Sequence, residues 1–225
     1  MKTKIMRPAR SITDRVFDNL FQAITKLDLR PGERLSEADI AEQLGVSRQP
    51  VRDAFFRLSQ RGYVEILPQR GTLVSRISEE QVLNAMFIRR ALECACLQEL
   101  PPLSADRLKS LADILDRQEQ AMLENNGTEF NALDESFHHK LCDLAGRGHI
   151  WSLILEQKGH LDRVRWLTQA FHRKDSLKEH HDILDALSSG QTDCAKSLLK
   201  THLSKAQQVL PQIRHDNPAL FSQSE

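Results

Sequence analysis

Residues able to bind a metal are concentrated in the C-terminal half of the chain, where all nine histidines lie at or after position 138. Asp134 and His138 are four residues apart, so a helix would present the carboxylate and the imidazole on one face. His202 lies between leucines on a helical stripe, and either His180 or His181 can face inward at helical spacing from the apolar residues that follow. One carboxylate and three neutral imidazoles can together hold a divalent ion, for which we expect zinc, with nickel, manganese and iron as alternatives.

Other uses of these side chains remain open on this pattern alone. Histidines in a core are often satisfied by hydrogen bonds, and a bound metal could be structural or catalytic. Catalysis would need a positioned base, for which Glu135 and His181 are adjacent candidates, but the sequence contains no His-Glu-x-x-His motif. Arginine pairs bidentately with carboxylates, and Arg163 and Arg165 are candidates for a pocket beside the metal. We therefore predict a ligand-binding site and no enzyme activity, with a metal-dependent enzyme fused to a DNA-binding domain as the alternative.

A second set of candidate residues lies on an arginine-rich helix and on the hairpin that follows it. Arg48 and Arg52 are four residues apart and project from one helical face, near the amino end that usually meets base edges. Arginine matches the O6 and N7 acceptors of guanine, and glutamine can address adenine. Arg34 and Arg57 are expected to contact phosphates, which position a domain without specifying a sequence. The residues predicted to contact DNA are Arg34, Ser47, Arg48, Gln49, Arg52, Arg57 and, at the tip of the hairpin, Arg70 and Gly71.

These side chains must be positioned by two domains of a mainly α chain. Residues 11–76 contain three helical segments followed by β-rich runs around a Pro-Gln-Arg-Gly turn, which predicts a winged helix-turn-helix after a flexible tail at 1–10. Helical periodicity then predicts an all-α antiparallel bundle over 77–213 and a flexible tail at 214–225. Its helices are expected at 78–98, 104–124, 128–145, 148–171, 174–189 and 192–210. A glycine at position 159 could split the fourth of these.

Charge and composition restrict the partners and the compartment. Residues 1–76 carry 14 Lys and Arg against 9 Asp and Glu, whereas residues 77–225 carry 17 against 22. A basic first domain and an acidic second domain suggest that only the first meets a polyanion such as double-stranded DNA. The chain has neither an apolar run of about 18 residues nor an apolar signal segment at its amino terminus, so we expect no membrane partner and a cytoplasmic location. Four cysteines are too few for a disulfide framework and are expected to be reduced.

A resemblance to the GntR family of bacterial transcription regulators is carried by Leu35-Ser36-Glu37 and by Val46-Ser47-Arg48-Gln49-Pro50-Val51-Arg52-Asp53-Ala54. These residues are similar to the winged helix-turn-helix of that family. The helical remainder resembles the FCD effector domain of the FadR subfamily, so the resemblance covers nearly the whole chain. It implies a transcription regulator whose second domain senses a small ligand.

The same resemblance implies a set of metal ligands. FCD domains with a metal carry Asp-x3-His, a Glu-His pair before an isoleucine, and a late His-Leu. The matching ligands in this chain are Asp134, His138, His180 and His202. The resemblance therefore selects His180 over His181, a choice that helical spacing leaves open.

The resemblance also implies the nature of the effector. Arg89 matches the arginine that FCD domains place in the ligand pocket, and the implied effector is a small organic acid or sugar acid. We therefore predict a ligand-responsive regulator, a repressor of catabolic genes, that binds double-stranded operator DNA. A homodimer would place two recognition helices about one DNA turn apart on a palindromic operator. The linker at residues 76–78 is expected to reorient the DNA-binding domains when the ligand binds.

Overall fold

The computed structural model describes residues 10–223, and it describes residues 168–172 as helical backbone alone. The tail predicted at 1–10 lies outside this range except for its last residue. The described chain is mainly helical with one small sheet, which confirms the predicted fold class. It divides into two compact units. The first comprises the residues up to Ser78 together with those from Asn217 onward, and the second comprises Glu79–Asp216.

The first unit contains three helices and a three-stranded antiparallel sheet. Its elements are α1 (Ile12–Thr25), β1 (Arg34–Leu35), α2 (Glu37–Leu44), α3 (Arg48–Gln60), β2 (Val64–Leu67) and β3 (Gly71–Val74). Ser36 begins α2 by accepting a hydrogen bond from the amide of Asp39, and Gly45 ends it in the left-handed region at φ 63°. The strand order is β1-β3-β2, so the short strand β1 adds to the hairpin that the sequence predicts.

The apolar face of α3 fixes which of its residues can meet DNA. Val51, Ala54, Phe55 and Leu58 are buried in an apolar cluster that also contains residues of α1, α2 and the sheet. These positions follow helical spacing along one face. The opposite face of α3 therefore remains available to solvent.

The second unit is a bundle of six helices within the described residues. They are α4 (Glu79–Gln98), α5 (Ala105–Leu123), α6 (Gly127–Leu144), α7 (Ile150–Gln157), α8 (Gly159–Ser188) and α9 (Thr192–Asp216). The break predicted between residues 171 and 174 does not occur, and α8 continues through this region. The reason is that neither glycine nor proline lies between 160 and 188 to interrupt the helix. The helical segment is interrupted instead at Lys158, which separates α7 from α8 immediately before Gly159. One apolar cluster contains residues of α4, α5, α6, α8 and α9. Another contains Trp151 and Ile154 of α7 together with Cys96 and Cys142.

The C-terminal segment differs from the tail predicted at 214–225. The helix α9 runs to Asp216, and a 3-10 turn follows at Pro218–Leu220. Ile77 then pairs with Phe221 in a parallel bridge, in which the Ile77 amide donates to the Leu220 carbonyl at 2.8 Å. Both bridged side chains are buried, with exposed fractions of 0% and 2%. The returning segment is thus packed as part of the first unit.

Helices long enough to cross a bilayer are also too polar to do so, and the described residues contain no candidate membrane span.

Candidate functional site

The four predicted metal ligands come together in the second unit. Asp134 and His138 lie on α6, His180 on α8 and His202 on α9. One potential ligand atom from each lies within 4.8 Å of all the others. Nε2 of His202 is 3.3 Å from Nε2 of His180 and 3.2 Å from Nε2 of His138. His181 is half-buried and is not part of this cluster, so the geometry agrees with the choice of His180.

Each histidine of the cluster is held through its other ring nitrogen. The Nδ1–oxygen pairs are His138 with Glu93 at 2.7 Å, His180 with Gln118 at 3.0 Å and His202 with Glu179 at 2.8 Å. A neutral imidazole that donates from Nδ1 carries a lone pair on Nε2. The three Nε2 atoms therefore face one another as acceptors and cannot satisfy one another. Oxygen partners on the remote nitrogen are the arrangement that orients metal-binding histidines.

Burial and neighbouring charges shift the pKa values of His138, His180 and Asp134. It lowers the pKa of His138 to about 4, despite the opposing effect of Glu93. Burial also holds the pKa of His180 well below its ordinary value, and the neighbouring His202 lowers it further. For Asp134 burial opposes ionisation, but Arg165 and the histidines outweigh it and keep the pKa of the carboxyl well below its usual range. An ionised carboxylate and neutral imidazoles are the forms that bind a cation.

The hydrogen bonding of the Asp134 carboxylate indicates whether the site can accommodate a metal ion. Its Oδ2 accepts a hydrogen bond from Arg165 at 2.5 Å, whereas Oδ1 is buried and has no hydrogen-bond partner. This Oδ1 lies 3.7 Å from Nε2 of His180. An unsatisfied buried carboxylate oxygen is costly. Beside three imidazole lone pairs it forms a donor set that a divalent cation would satisfy, so the residues fit a metal.

A cavity of about 300 Å³ adjoins the cluster. Its lining includes Asp134 and His202 together with Arg89 and Arg165, two of the predicted effector residues. Arg89 is 5% exposed, and its Nε donates to Glu93 at 2.6 Å. Its Nη2 is buried without a hydrogen-bond partner. The cavity therefore presents an unsatisfied guanidinium donor close to the metal cluster, which suits a carboxylate ligand.

Arg163 is not among the residues that line this cavity, contrary to the prediction that it belongs with Arg165. It is fully buried, with Nη2 2.7 Å from Nδ1 of His160. Residues two positions apart on a helix project in different directions. Because α8 turns Arg165 towards the cavity, Arg163 must face elsewhere.

Several residues of the site were missed in the sequence, and only some left a signal there. Gln118 is fully buried and continues the stripe of Leu111 and Leu115 along α5, so a lone polar residue on an apolar stripe was the available clue. Glu93 follows Arg89 by one helical turn, which marks an ion pair but not its contact with a histidine. The remaining charged residues of the cavity are Arg173, Asp175, Glu179 and Lys205.

Four of the predicted DNA-contacting residues lie at the amino end of α3. Ser47 occupies the capping position, yet its side chain makes no capping hydrogen bond. Arg48 and Gln49 are exposed, and the amide of Gln49 donates to Asp53 at 2.8 Å. Arg52 is held across to α2 by hydrogen bonds from Nε and Nη2 of its guanidinium to both carboxylate oxygens of Glu37. This end of α3 also carries the positive end of the helix dipole, which favours phosphate.

The remaining predicted contacts lie on the sheet with its hairpin turn and near the carboxyl end of α3. Arg34 and Arg70 are exposed, and Gly71 adopts φ 90°, a value that favours glycine at the tip of the wing. Arg57 differs from the others. Its guanidinium donates to Asp14 at 2.7 Å and lies 4.4 Å from the centre of the Phe17 ring, so it joins α3 to α1.

Two family models match this chain. Residues 12–74 match the bacterial regulatory proteins of the gntR family. Residues 84–205, which contain Asp134 and the three histidines of the candidate metal site, match the FCD domain. The two matches follow the division into two units.

Individual proteins are similar over almost the whole length. An HTH-type transcriptional regulator in an unstable DNA locus of Streptomyces ambofaciens is 37% identical, over 92% of this chain and 88% of its own. The HTH-type transcriptional repressor RspR of Escherichia coli K12 is 32% identical, over 97% of each chain. A GntR transcriptional regulator from Rhodococcus sp. RHA1 has a solved structure with a TM-score of 0.74, at 33% identity, covering 90% of this chain and 99% of its own.

Proposed function

This chain belongs to the GntR family of bacterial regulatory proteins, as a DNA-binding transcription regulator with an FCD domain rather than an enzyme, and we propose that it is a metal-dependent repressor released from its operator by a small carboxylate. The observation that carries the proposal is the convergence of three histidine Nε2 atoms and the unsatisfied Oδ1 of Asp134 beside a cavity lined by Arg89. The relative RspR is named a transcriptional repressor, which supports repression rather than activation by this chain.

The proposed ligands of the metal are Asp134, His138, His180 and His202, and zinc is the expected ion, with nickel, manganese and iron as alternatives. When bound, a divalent cation supplies positive charge and open coordination positions to an anionic ligand. The protein's own contribution to the anion is Arg89, whose buried Nη2 lacks a partner, while Arg165 keeps Asp134 ionised. The proposed effector is therefore a small organic acid or sugar acid.

The proposed DNA contacts fall into two groups. Ser47, Arg48, Gln49 and Arg52 are the candidates for reading bases, because they lie at the exposed amino end of α3. Arg34, Arg57, Arg70 and Gly71 are the candidates for holding the backbone. We propose that the chain acts in the cytoplasm as a homodimer, which would present two such helices to successive major grooves of a palindromic operator.

Binding of effector can release DNA only if the two arrangements of the protein differ in affinity for it. The segment at residues 76–78 joins the two units, and we propose that a change in the bundle reaches the DNA-binding unit through it. Such coupling is measured as a change in operator affinity at saturating effector.

The test begins with metal analysis of the purified protein and selection of an operator from random duplexes. Operator affinity is then measured by fluorescence anisotropy with a panel of sugar acids and organic acids, for metal-loaded and chelator-treated protein. We expect one metal per chain and a carboxylate that weakens operator binding in the loaded protein alone. A saturating ligand that leaves operator affinity unchanged, or that is consumed, would overturn the proposal.

A purely structural metal predicts a different result. In that case Asp134→Ala and His202→Ala would unfold the second unit, and no carboxylate would compete for the metal. Circular dichroism of these variants, with and without metal, separates the two roles.

A further inference from the structure

Four cationic side chains line the cavity, and Arg173 differs from the other three in its partners. The ion pairs of the other three are Arg89 with Glu93, Arg165 with Asp134 and Lys205 with Glu179. Arg173 instead donates from Nη1 to the neutral side chain of Asn125 at 3.0 Å. Within the described part of the chain, no carboxylate forms an ion pair with it.

The position of Arg173 is built into the turn between α5 and α6. Asn125, which supplies the hydrogen-bond acceptor, adopts the left-handed region at φ 54°. Two residues later, a Cβ added at Gly127 would lie 2.5 Å from Nη2 of Arg173. A side chain at 127 would therefore displace the guanidinium, so glycine at this position makes room for it.

One buried nitrogen of the Arg173 guanidinium has no hydrogen-bond partner. Nη1 is used by Asn125, whereas Nε is buried and has no hydrogen-bond partner. Leaving a buried donor of a charged group unpaired is costly. An anion that accepted from this guanidinium would remove that cost and would neutralise the cation of the cavity that lacks a carboxylate partner.

We propose that the effector carries two carboxylates, the first recognised at Arg89 beside the histidine cluster and the second at Arg173; the inference rests on the proposed function and narrows its ligand class. Asn131, Ser176 and Gln208 also line the cavity and can hydrogen-bond to hydroxyl groups between the two acids. The ligand class is thus a short hydroxylated dicarboxylate. The volume of about 300 Å³ lies at the small end of ligand sites, which suits such a molecule.

The experiment compares matched acids that differ in one carboxylate. Glucarate is paired with gluconate, and malate with 3-hydroxybutyrate, and binding to metal-loaded and chelator-treated protein is measured by isothermal titration calorimetry. For wild type we expect the best dicarboxylate to bind about tenfold or more tightly than its monocarboxylate partner, because a charge-assisted hydrogen bond is added. Arg173→Met should abolish this difference, because it should weaken dicarboxylate binding far more than monocarboxylate binding.

Two further variants guard against a trivial loss of fold. Gly127→Ala keeps the arginine but displaces its guanidinium, and it should reproduce the loss of dicarboxylate preference. Arg117→Met removes an exposed arginine that pairs with Glu129 and does not line the cavity, so it should behave as wild type. Melting temperatures of all variants are compared in the absence of ligand.

The outcomes are distinct. If Arg173→Met weakens both members of a pair equally, or neither, the assignment of Arg173 to the second carboxylate is overturned. If wild type binds monocarboxylates as tightly as dicarboxylates, the two-acid inference fails while the proposed function stands. If no carboxylate binds metal-loaded wild type at all, the proposed function itself fails.

Discussion

Oε2 of Glu93 lies 2.7 Å from Nδ1 of His138. The other oxygen of the same carboxylate accepts from Nε of Arg89 at 2.6 Å. Burial disfavours ionisation of Glu93, but Arg89 and His138 outweigh it and lower its pKa to about 2. A single buried anion therefore orients both a proposed metal ligand and the arginine proposed to hold the effector, so the two sites share one support.

Substitution of Glu93 should weaken metal binding without removing a metal ligand. Glu93→Gln keeps an oxygen near Nδ1 but loses the negative charge, and we expect metal affinity to fall about 10- to 100-fold. Competition with a chromophoric chelator measures the change. Glu99→Gln is the control, because Glu99 lies on the exposed side and pairs with Arg147. Equal metal affinities of the Glu93→Gln and Glu99→Gln variants would show that Glu93 does not support the metal site.

The neighbouring histidines 180 and 181 should differ sharply. His180→Ala removes a nitrogen that lies 3.3 Å from Nε2 of His202, and we expect it to lose stoichiometric metal under dialysis. His181→Ala should keep one metal per chain, because His181 is outside the cluster. The metal content of both variants is measured by elemental analysis after dialysis. Metal loss from the His181 variant alone would reverse the proposed ligand set.

The DNA-binding arginines should separate into two classes. Arg48→Ala removes an exposed side chain at the amino end of α3, so operator affinity should fall about tenfold or more while the melting temperature is unchanged. Arg57→Ala loses contacts with Asp14 and Phe17, and should destabilise the first unit by about 1 kcal/mol. Anisotropy and thermal unfolding measure the two effects. If Arg57 acted only through its positive charge on DNA, Arg57→Ala would leave the stability of the first unit unchanged.

Local patterns predicted the three helices and the hairpin of the first unit and the pairing within α6. Ser36 and Gly45 mark the ends of α2 because capping depends on neighbouring residues. Asp134 and His138 share a face because helical spacing is local as well. The position of one break in the bundle was not predicted in this way, since only Gly159 marked the actual break at Lys158.

Contacts between distant segments could not be predicted in the same way. Gln118 holds His180 from 62 positions away along the chain, and this pairing follows from how α5 packs on α8. The direction of Arg163 depends on the rotation of α8 about its axis, which two arginine candidates two positions apart do not reveal. Tertiary packing therefore decided the supports of the site, whereas helical spacing together with the family resemblance indicated its ligands.

The bridge between Ile77 and Phe221 should protect the end of the first unit. Phe221→Ala would remove a buried ring, and should increase hydrogen exchange of the Ile77 amide, which donates to the Leu220 carbonyl. Metal affinity should not change. Exchange measured by mass spectrometry on peptides spanning residues 75–80 tests this, with Gln223→Ala as an exposed control. Unchanged exchange in the Phe221 variant would show that the bridge contributes little.

The return of the chain at Asn217 has a consequence for dissecting or recombining this protein. The second unit is an insertion, because segments of the DNA-binding unit both precede and follow it. A fragment that stops before Ser78 would lack the Phe221 cover over Ile77, and would expose an apolar edge that the full chain hides. Chimeras that exchange sensors between related regulators should therefore be joined at two points, after Ser78 and before Asn217, so that each DNA-binding unit keeps its own closing segment.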